Sequence, residues 1–456
     1  MLRSFFLPGQ PTKFPRSPIF KIKHSKLELD LDFEKKSLTG KVTHTIEAVG
    51  SPIQAITLDA AEMSFESLKV NGAPASYSVG PKSVVIVLGL DLQAGESANV
   101  EIEYSATPRR GLYFRGPTEF EPNRTVHAFT QGQSEDSKYW YPCYDYPNMR
   151  SSTEMLVTVP QNMTVISNGK LVGVNGTESK NKKTWHFAEE MPHSSYMTSL
   201  VAGDFVKLEE NHDKVLVQYF LPAYKEALAK RSFEKTPRMI DFFERVTGQK
   251  YPYSKYAQSV VSDYMYGGME NISATTLTER TLHDERAHLD FSSDSLVAHE
   301  LAHQWFGDLL TCKDWSNAWL NEGFATYFDA LFKEEDLGED EFQYFMRHST
   351  AMENFFAETE RYQRPIVTKR YWDPDELFDY HTYEKGSWVL NCLRGMLGED
   401  VFFRGIKSYV AKQKISLVET SDFRKALEEV SGIDLESFFE QWLYSPGFPD
   451  YFVNYA

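Results

Sequence analysis

Two histidines four residues apart, His299 and His303, with Glu300 directly after the first, form the sharpest chemical pattern in the chain. On a helix, residues i and i+4 share a face one turn apart. Both imidazoles then reach a single ion, while Glu300 turns to one side, where it addresses a water on that ion. The pattern predicts a helix over Asp294 to Phe306: Ser293 or Asp294 caps it, Leu296, Val297, Leu301, Ala302, Trp305 and Phe306 make it largely apolar, and Gly307 ends it. A third candidate ligand, Glu322, stands in Trp319-Leu320-Asn321-Glu322-Gly323-Phe324-Ala325. Leu320, Phe324, Tyr327, Phe328 and Leu331 give that segment its own apolar stripe and place Glu322 near the start of a second helix, off the stripe. Two imidazoles and a carboxylate with an open fourth position are the ligand set of catalytic zinc, whereas closed structural sites more often use cysteines. A non-haem iron triad draws on the same residue types but does not account for a glutamate directly after the first histidine, which favours one Zn2+ per chain. Zinc held by His299, His303 and Glu322 lowers the pKa of its water and polarises a carbonyl, and Glu300 is placed to act as general base.

The elements that must position these residues change character along the chain. In the first ~200 residues, alternating or β-branched runs recur between turn signals. These are Lys41 to Ala48, Ser83 to Leu90, Ala98 to Tyr104, Met155 to Val159 and Met163 to Ile166, with Asn71-Gly72 and Asn168-Gly169 as turn pairs. From about Asp204, helical periodicity takes over in Ala223 to Gly248, Asp294 to Phe306, Leu320 to Phe332, Ser387 to Leu397 and Asp422 to Val430, with one more short helix over Ser431 to Tyr444. A multidomain α+β chain is expected, with a β-rich domain over 1–204 and a mainly helical domain over 205–446. Residues 447–456 break the pattern at Gly447-Phe448-Pro449 and begin a strand at Tyr451-Phe452-Val453, which either pairs back onto the body or opens a further domain.

Composition narrows the class. With 456 residues, 41% hydrophobic and 25% charged, the chain is long and apolar enough for two or three cored domains. Its 48 basic and 65 acidic residues leave a formal charge of -17, which repels phosphate backbones and argues against a nucleic-acid partner. Cys143, Cys312 and Cys392 lie far apart and in no ligand spacing, which argues against a disulfide framework and for a reducing compartment. The apolar patch Phe5 to Leu7 is too short for a signal peptide, and no stretch approaches the ~20 apolar residues of a membrane span. A cytoplasmic location is expected, an exported fragment without its leader being the alternative.

Taken together, the motifs resemble a family. His299 to Asp308, followed by Trp319-Leu320-Asn321-Glu322-Gly323, is similar to the aminopeptidase N and leukotriene hydrolase family of gluzincin zinc metallopeptidases. Gly267-Gly268-Met269-Glu270-Asn271 matches that family's exopeptidase GxMEN motif, and Tyr383-Glu384-Lys385-Gly386 the segment that carries its catalytic tyrosine. Thr130-Gln131-Gly132-Gln133 and Tyr141 to Pro147 resemble, more loosely, its substrate-binding block.

The resemblance implies an N-terminal saddle-like β domain and a thermolysin-like zinc catalytic domain. It implies hydrolysis of the N-terminal residue from peptides with free N-termini. Tyr383 would donate to the developing oxyanion, and Glu270 would hold the amine. Gly267 and Gly268 let backbone approach the substrate as an added strand, and Gln131 and Met269 are candidates for the pocket of the first side chain. Gln133 stands where many members have glutamate and the leukotriene branch has glutamine, which weakens the charge available to the amine. Asp373 and Asp375, ahead of Tyr383, are compatible with a lipid-epoxide hydrolase activity like that branch's, and a non-catalytic peptide-binding protein is the third possibility. Members of the family usually continue into a helical C-terminal domain that closes over the site, whereas this sequence runs to Ala456.

Overall fold

The computed structural model describes residues 4–177, 181–449 and 452–454, and the chain divides into two compact units. One consists of Arg16–Pro237 and Tyr251–Glu300, the other of Met1–Pro15, Arg238–Lys250 and Leu301–Ala456.

The first unit is built from strands. Its largest sheet has eight, and Phe20–Asp32 lies at its middle, parallel to Arg150–Pro160 on one side and antiparallel to Ser37–Ala48 on the other. The period-2 pattern is obeyed: Val42, His44 and Ile46 are buried while their neighbours along the strand are partly exposed. Asn71 and Gly72 both take positive φ, 50° and 82°, and join Met63–Val70 to Ala73–Pro74, the backbone that a two-residue hairpin turn requires. A three-stranded sheet (Ile53–Asp59, Ser83–Leu92, Tyr77–Val79) and a four-stranded sheet (Thr164–Ser167, Leu200–Gly203, His127–Thr130, Leu112–Arg115) complete the N-terminal part.

Strands do not stop near residue 204, where helices were expected to take over. A five-stranded sheet follows in the order Val206–His212, Val215–Leu221, Lys255–Val261, Ala274–Thr278, Gly268–Met269, parallel in its centre and antiparallel at both ends. Its middle strand, Lys255–Val261, is buried at every position and so carries no alternation to read. Gly268–Met269 is an edge strand. The single helix expected over Ala223 to Gly248 is broken into a 3-10 turn, Ala223–Leu228, a short helix, Ala229–Phe233, and a second helix, Thr236–Thr247. Pro237 sits in that second helix's first turn, where its missing N–H and fixed φ are tolerated.

The second unit is helical around an aromatic core. Phe306 packs against Phe324 and Phe328 with ring centroids 4.6 Å apart in each pair, and Phe324 against Phe423 at 4.9 Å. Such pairs each add about 0.5–1.5 kcal/mol beyond the area they bury. Helix Trp319–Leu337 is buried on every face from Trp319 to Phe332, so the apolar stripe predicted for it is part of a wholly buried surface. It ends where Gly338 turns to φ 97°. Helix Gly386–Leu397 follows a π-helical turn, His381–Lys385, and the last helical pieces are Thr420–Ser431, Glu436–Phe439 and Glu440–Tyr444. Of the strand expected at Tyr451 to Val453, Tyr451 lies outside the described residues, and Phe452 and Val453 have no regular secondary structure.

Candidate active site

The motif helix runs Asp294–Ala302, four residues shorter than predicted, and places His299 and Glu300 inside it and His303 in the turn just beyond. Helical spacing persists through that turn, because the amides of Trp305 and Phe306 both bond to the Ala302 carbonyl, at 3.0 and 3.1 Å. Gly307, at φ 131°, then redirects the chain.

One ligand atom from each of His299, His303 and Glu322 lies within 4.8 Å of the other two, so the structure brings the predicted trio together. His303 Nε2 is 3.1 Å from Glu322 Oε2, both side chains being buried. The other ring nitrogen, Nδ1, is 2.9 Å from the Phe306 carbonyl, which can only accept, so Nδ1 donates there and Nε2 is the ring atom that faces the Glu322 carboxylate. A buried carboxylate with two imidazole nitrogens converging on it calls for a positive charge at the point they share, and this set of three donors fits a metal ion.

Glu300 is 5% exposed and lies against the edge strand. A Cβ built on Gly268 would stand 2.3 Å from Glu300 Oε1, so the carboxylate occupies the space that any side chain at position 268 would need. The second glycine of the motif is less constrained: a Cβ on Gly267 would lie 3.1 Å from Leu296 Cδ1. Met269 pairs with Thr276 and is buried, and Gly268 pairs with Leu277.

The glutamines of the upstream block meet this strand. Gln133 Nε2 donates to Glu270 Oε1 at 3.2 Å, and Gln131 Nε2 to Met269 Sδ at 3.3 Å. Both glutamines flank Gly132, whose backbone runs so close to residue 196 that a Cβ would come within 2.4 Å of the Tyr196 carbonyl oxygen. Tyr264, which the sequence did not single out, donates its hydroxyl to Gln131 Oε1. Burial, then the charges of Glu300 and Glu270, push its phenol well above the ordinary tyrosine range, so it stays a donor beside two carboxylates. Nothing in its residue type separates it from the other 24 of the 25 tyrosines.

Tyr383 is half-buried in the π-helical turn His381–Lys385. That turn touches the helix bearing Glu322, since a Cβ on Gly323 would lie 3.0 Å from Gly386 Cα and 3.1 Å from the Thr382 carbonyl oxygen. Asp373, read as compatible with a second chemistry, caps the turn Pro374–Leu377 by accepting from the Asp375 amide at 3.0 Å. No helix among the described residues is long and apolar enough to cross a membrane.

Comparison with known proteins bears on the same segments. Residues 231–442 match the peptidase family M1 domain, and residues 21–197 the peptidase M1 N-terminal domain. Aminopeptidase 2 of Candida albicans is 27% identical over 443 residues, covering 93% of this chain and 47% of its own length. Aminopeptidase M1 of Arabidopsis thaliana is 28% identical over 460 residues (95% and 51%), and leucyl aminopeptidase of Saccharolobus solfataricus 29% over 444 residues (94% and 54%). The chain spans about half the length of the curated relatives it matches.

Proposed function

Because the chain belongs to the M1 family of peptidases, we propose that it is a zinc-dependent aminopeptidase that releases residues one at a time from the free N-termini of peptides. The observation that carries this is the convergence of His299, His303 and Glu322, with Glu300 set against an edge strand. Two imidazoles and a carboxylate are the donor set of catalytic zinc, whose Lewis acidity acidifies a water and polarises a peptide carbonyl.

The remaining work falls to the chain's own side chains. Glu300, held in a largely dry position, takes a proton from the attacking water and passes it to the departing amine. Tyr383 donates its hydroxyl to the carbonyl oxygen as charge develops there. Gly268–Met269 offers its open side to an extended peptide, and main-chain bonds to such a strand give affinity that tolerates many sequences.

Glu270 receives the substrate ammonium. The Gln133 amide, bonded to one of its oxygens, orients that carboxylate without adding a second charge. Gln131 and Met269, linked through the Gln131 amide, line the space for the first side chain. In this reading residues 205–446 form the catalytic domain, after a β-rich domain over 1–204. With Cys143, Cys312 and Cys392 all free thiols, the protein is suited to the cytoplasm.

Hydrolysis of a panel of aminoacyl fluorogenic amides, each beside its N-acetylated form, tests the activity. Cleavage restricted to the free amines is expected. Equal cleavage of the acetylated forms would show an endopeptidase and remove Glu270 from its role.

A further inference from the structure

The turn that carries Tyr383 is braced from two sides. On one side its following residue, Gly386, lies backbone to backbone against Gly323, the residue after Glu322. On the other stands a cluster of charged groups withdrawn from solvent, which no part of the reaction described above uses. Lys385 Nζ donates to Glu358 Oε1 at 2.5 Å and to the Gly447 carbonyl at 2.6 Å, and both ionic side chains are 0% exposed. His381 Nε2 lies 3.3 Å from the same Glu358 oxygen. Its Nδ1 and its backbone amide approach Asp379, at 3.1 and 3.0 Å. Arg364, fully buried, clamps both oxygens of Asp379 at 2.9 and 2.5 Å and reaches Thr382 Oγ1 at 3.0 Å.

Every one of these contacts ends on residues 379 to 385, on both sides of Tyr383. Burying ions in this way is a poor route to stability, because apolar residues of the same volume often hold a fold as well or better. What such a cluster supplies is a fixed geometry: the carboxylate oxygen of Glu358, on helix Met352–Glu360, accepts from Lys385, two residues after the tyrosine, and packs 3.3 Å from the ring of His381, two residues before it.

We propose that Glu358 is a positioning residue for Tyr383, acting through Lys385 and His381 to hold the phenol where the developing oxyanion forms. The proposal rests on the aminopeptidase reading and on Tyr383 as its oxyanion donor, and it adds a residue that neither the motif nor that reading assigns. Nothing of Glu358 needs to touch substrate. A displaced catalytic group loses rate while substrate binding, made elsewhere, is kept.

The test is a double-mutant cycle on zinc-quantified protein between Glu358→Gln and Tyr383→Phe, with Glu358→Asp as the milder variant that keeps the charge and shortens the reach. Glu358→Gln is expected to lower kcat by about tenfold or more with KM within about twofold, and Glu358→Asp by less. In the Tyr383→Phe background either change is expected to move kcat by less than about twofold. Hydrogen exchange on the metal-free protein gives a readout independent of turnover: amides of 381–386 should exchange faster in the Glu358 variants, with those of helix Asp294–Ala302 unchanged. Equal losses in both backgrounds, or unchanged exchange, would overturn the proposal while leaving the aminopeptidase intact. A fully active Tyr383→Phe protein would remove the role of Tyr383 itself, and the proposal with it. A wild-type protein without turnover on any free-amine substrate would overturn the reading beneath both.

Discussion

Replacing Gly268 with alanine separates catalysis from folding at a single methyl group. The added Cβ would stand 2.3 Å from Glu300 Oε1 and 2.4 Å from its Cδ, against ordinary contacts of 3.4–4 Å. Relief requires a shift of about 1 Å, and misplacing a catalytic group by about that much costs roughly 10²-fold in rate, or about 2.7 kcal/mol of barrier. The obstructing atoms, Oε1, Cδ and, at 2.7 Å, Cγ, all belong to the one flexible side chain of Glu300 and none to backbone. Glu300 can therefore swing aside without disturbing the backbone pairing of Gly268 with Leu277, and stability should change by less than about 1 kcal/mol. Gly267→Ala is the control for the added methyl: its Cβ would meet only the Leu296 side chain, Cδ1 at 3.1 Å and Cδ2 at 3.9 Å, and a few tenths of an ångström of adjustment absorbs it. The assay is kcat and KM on a free aminoacyl amide, with bound zinc and the urea midpoint measured on the same samples. A Gly268→Ala protein with native zinc, native midpoint and undiminished kcat would refute the assignment of Glu300 as the base held against the edge strand.

Other consequences follow from the same geometry. Removing the metal by chelation, or changing His303 to alanine, should abolish turnover and lower Tm; saturating metal near 1,000 times its Kd contributes about 4 kcal/mol, so zinc should restore both properties to the chelated wild type but not to the variant. Gln133→Glu places a second carboxylate beside Glu270, where the amide now donates at 3.2 Å; KM for free-amine substrates should fall by about threefold to tenfold as the ammonium gains a partner, and a rise in KM would count against amine binding there. His44 and His193 are fully buried, and burial pushes each imidazole down to about 4 from an ordinary 6.5. Between these values the unfolded chain binds more protons than the folded one, so stability is full above pH 6.5 and is lost as pH falls toward 4, on the order of 3 kcal/mol for each ring. Urea midpoints from pH 8 to 4 check this, and His44→Asn should flatten part of the slope.

How much of this was legible in the chain depended on whether a residue's surroundings repeat with its own local period. Strands such as Ser37–Ala48 and Ser97–Ala106 bury alternate residues, so alternation found them. Lys255–Val261, buried on both faces, and Val206–His212, with no position buried, lack that contrast, and their sheet was missed. The ligands were legible because i, i+4 spacing is a local property of a helix. Glu322 could be proposed from its motif, although the stripe argument misread a helix that is buried all round. Tyr264, Glu358, Arg364 and Asp379 were invisible for the opposite reason: the pairs that distinguish them, Tyr264 with Gln131, Glu358 with Lys385 and Arg364 with Asp379, join residues 133, 27 and 15 positions apart, and tyrosines and charged residues are ordinary surface types until the fold withdraws them.

In the proposed mechanism Glu300 moves the proton at a metal held by His299, His303 and Glu322. The decisive experiment compares turnover of a free aminoacyl amide by wild type and by Glu300→Gln, each with its zinc stoichiometry determined. One zinc per chain is expected in both proteins, with a loss of about 10²–10⁴-fold in kcat for the variant. Retention of wild-type kcat by Glu300→Gln at full zinc occupancy would contradict it.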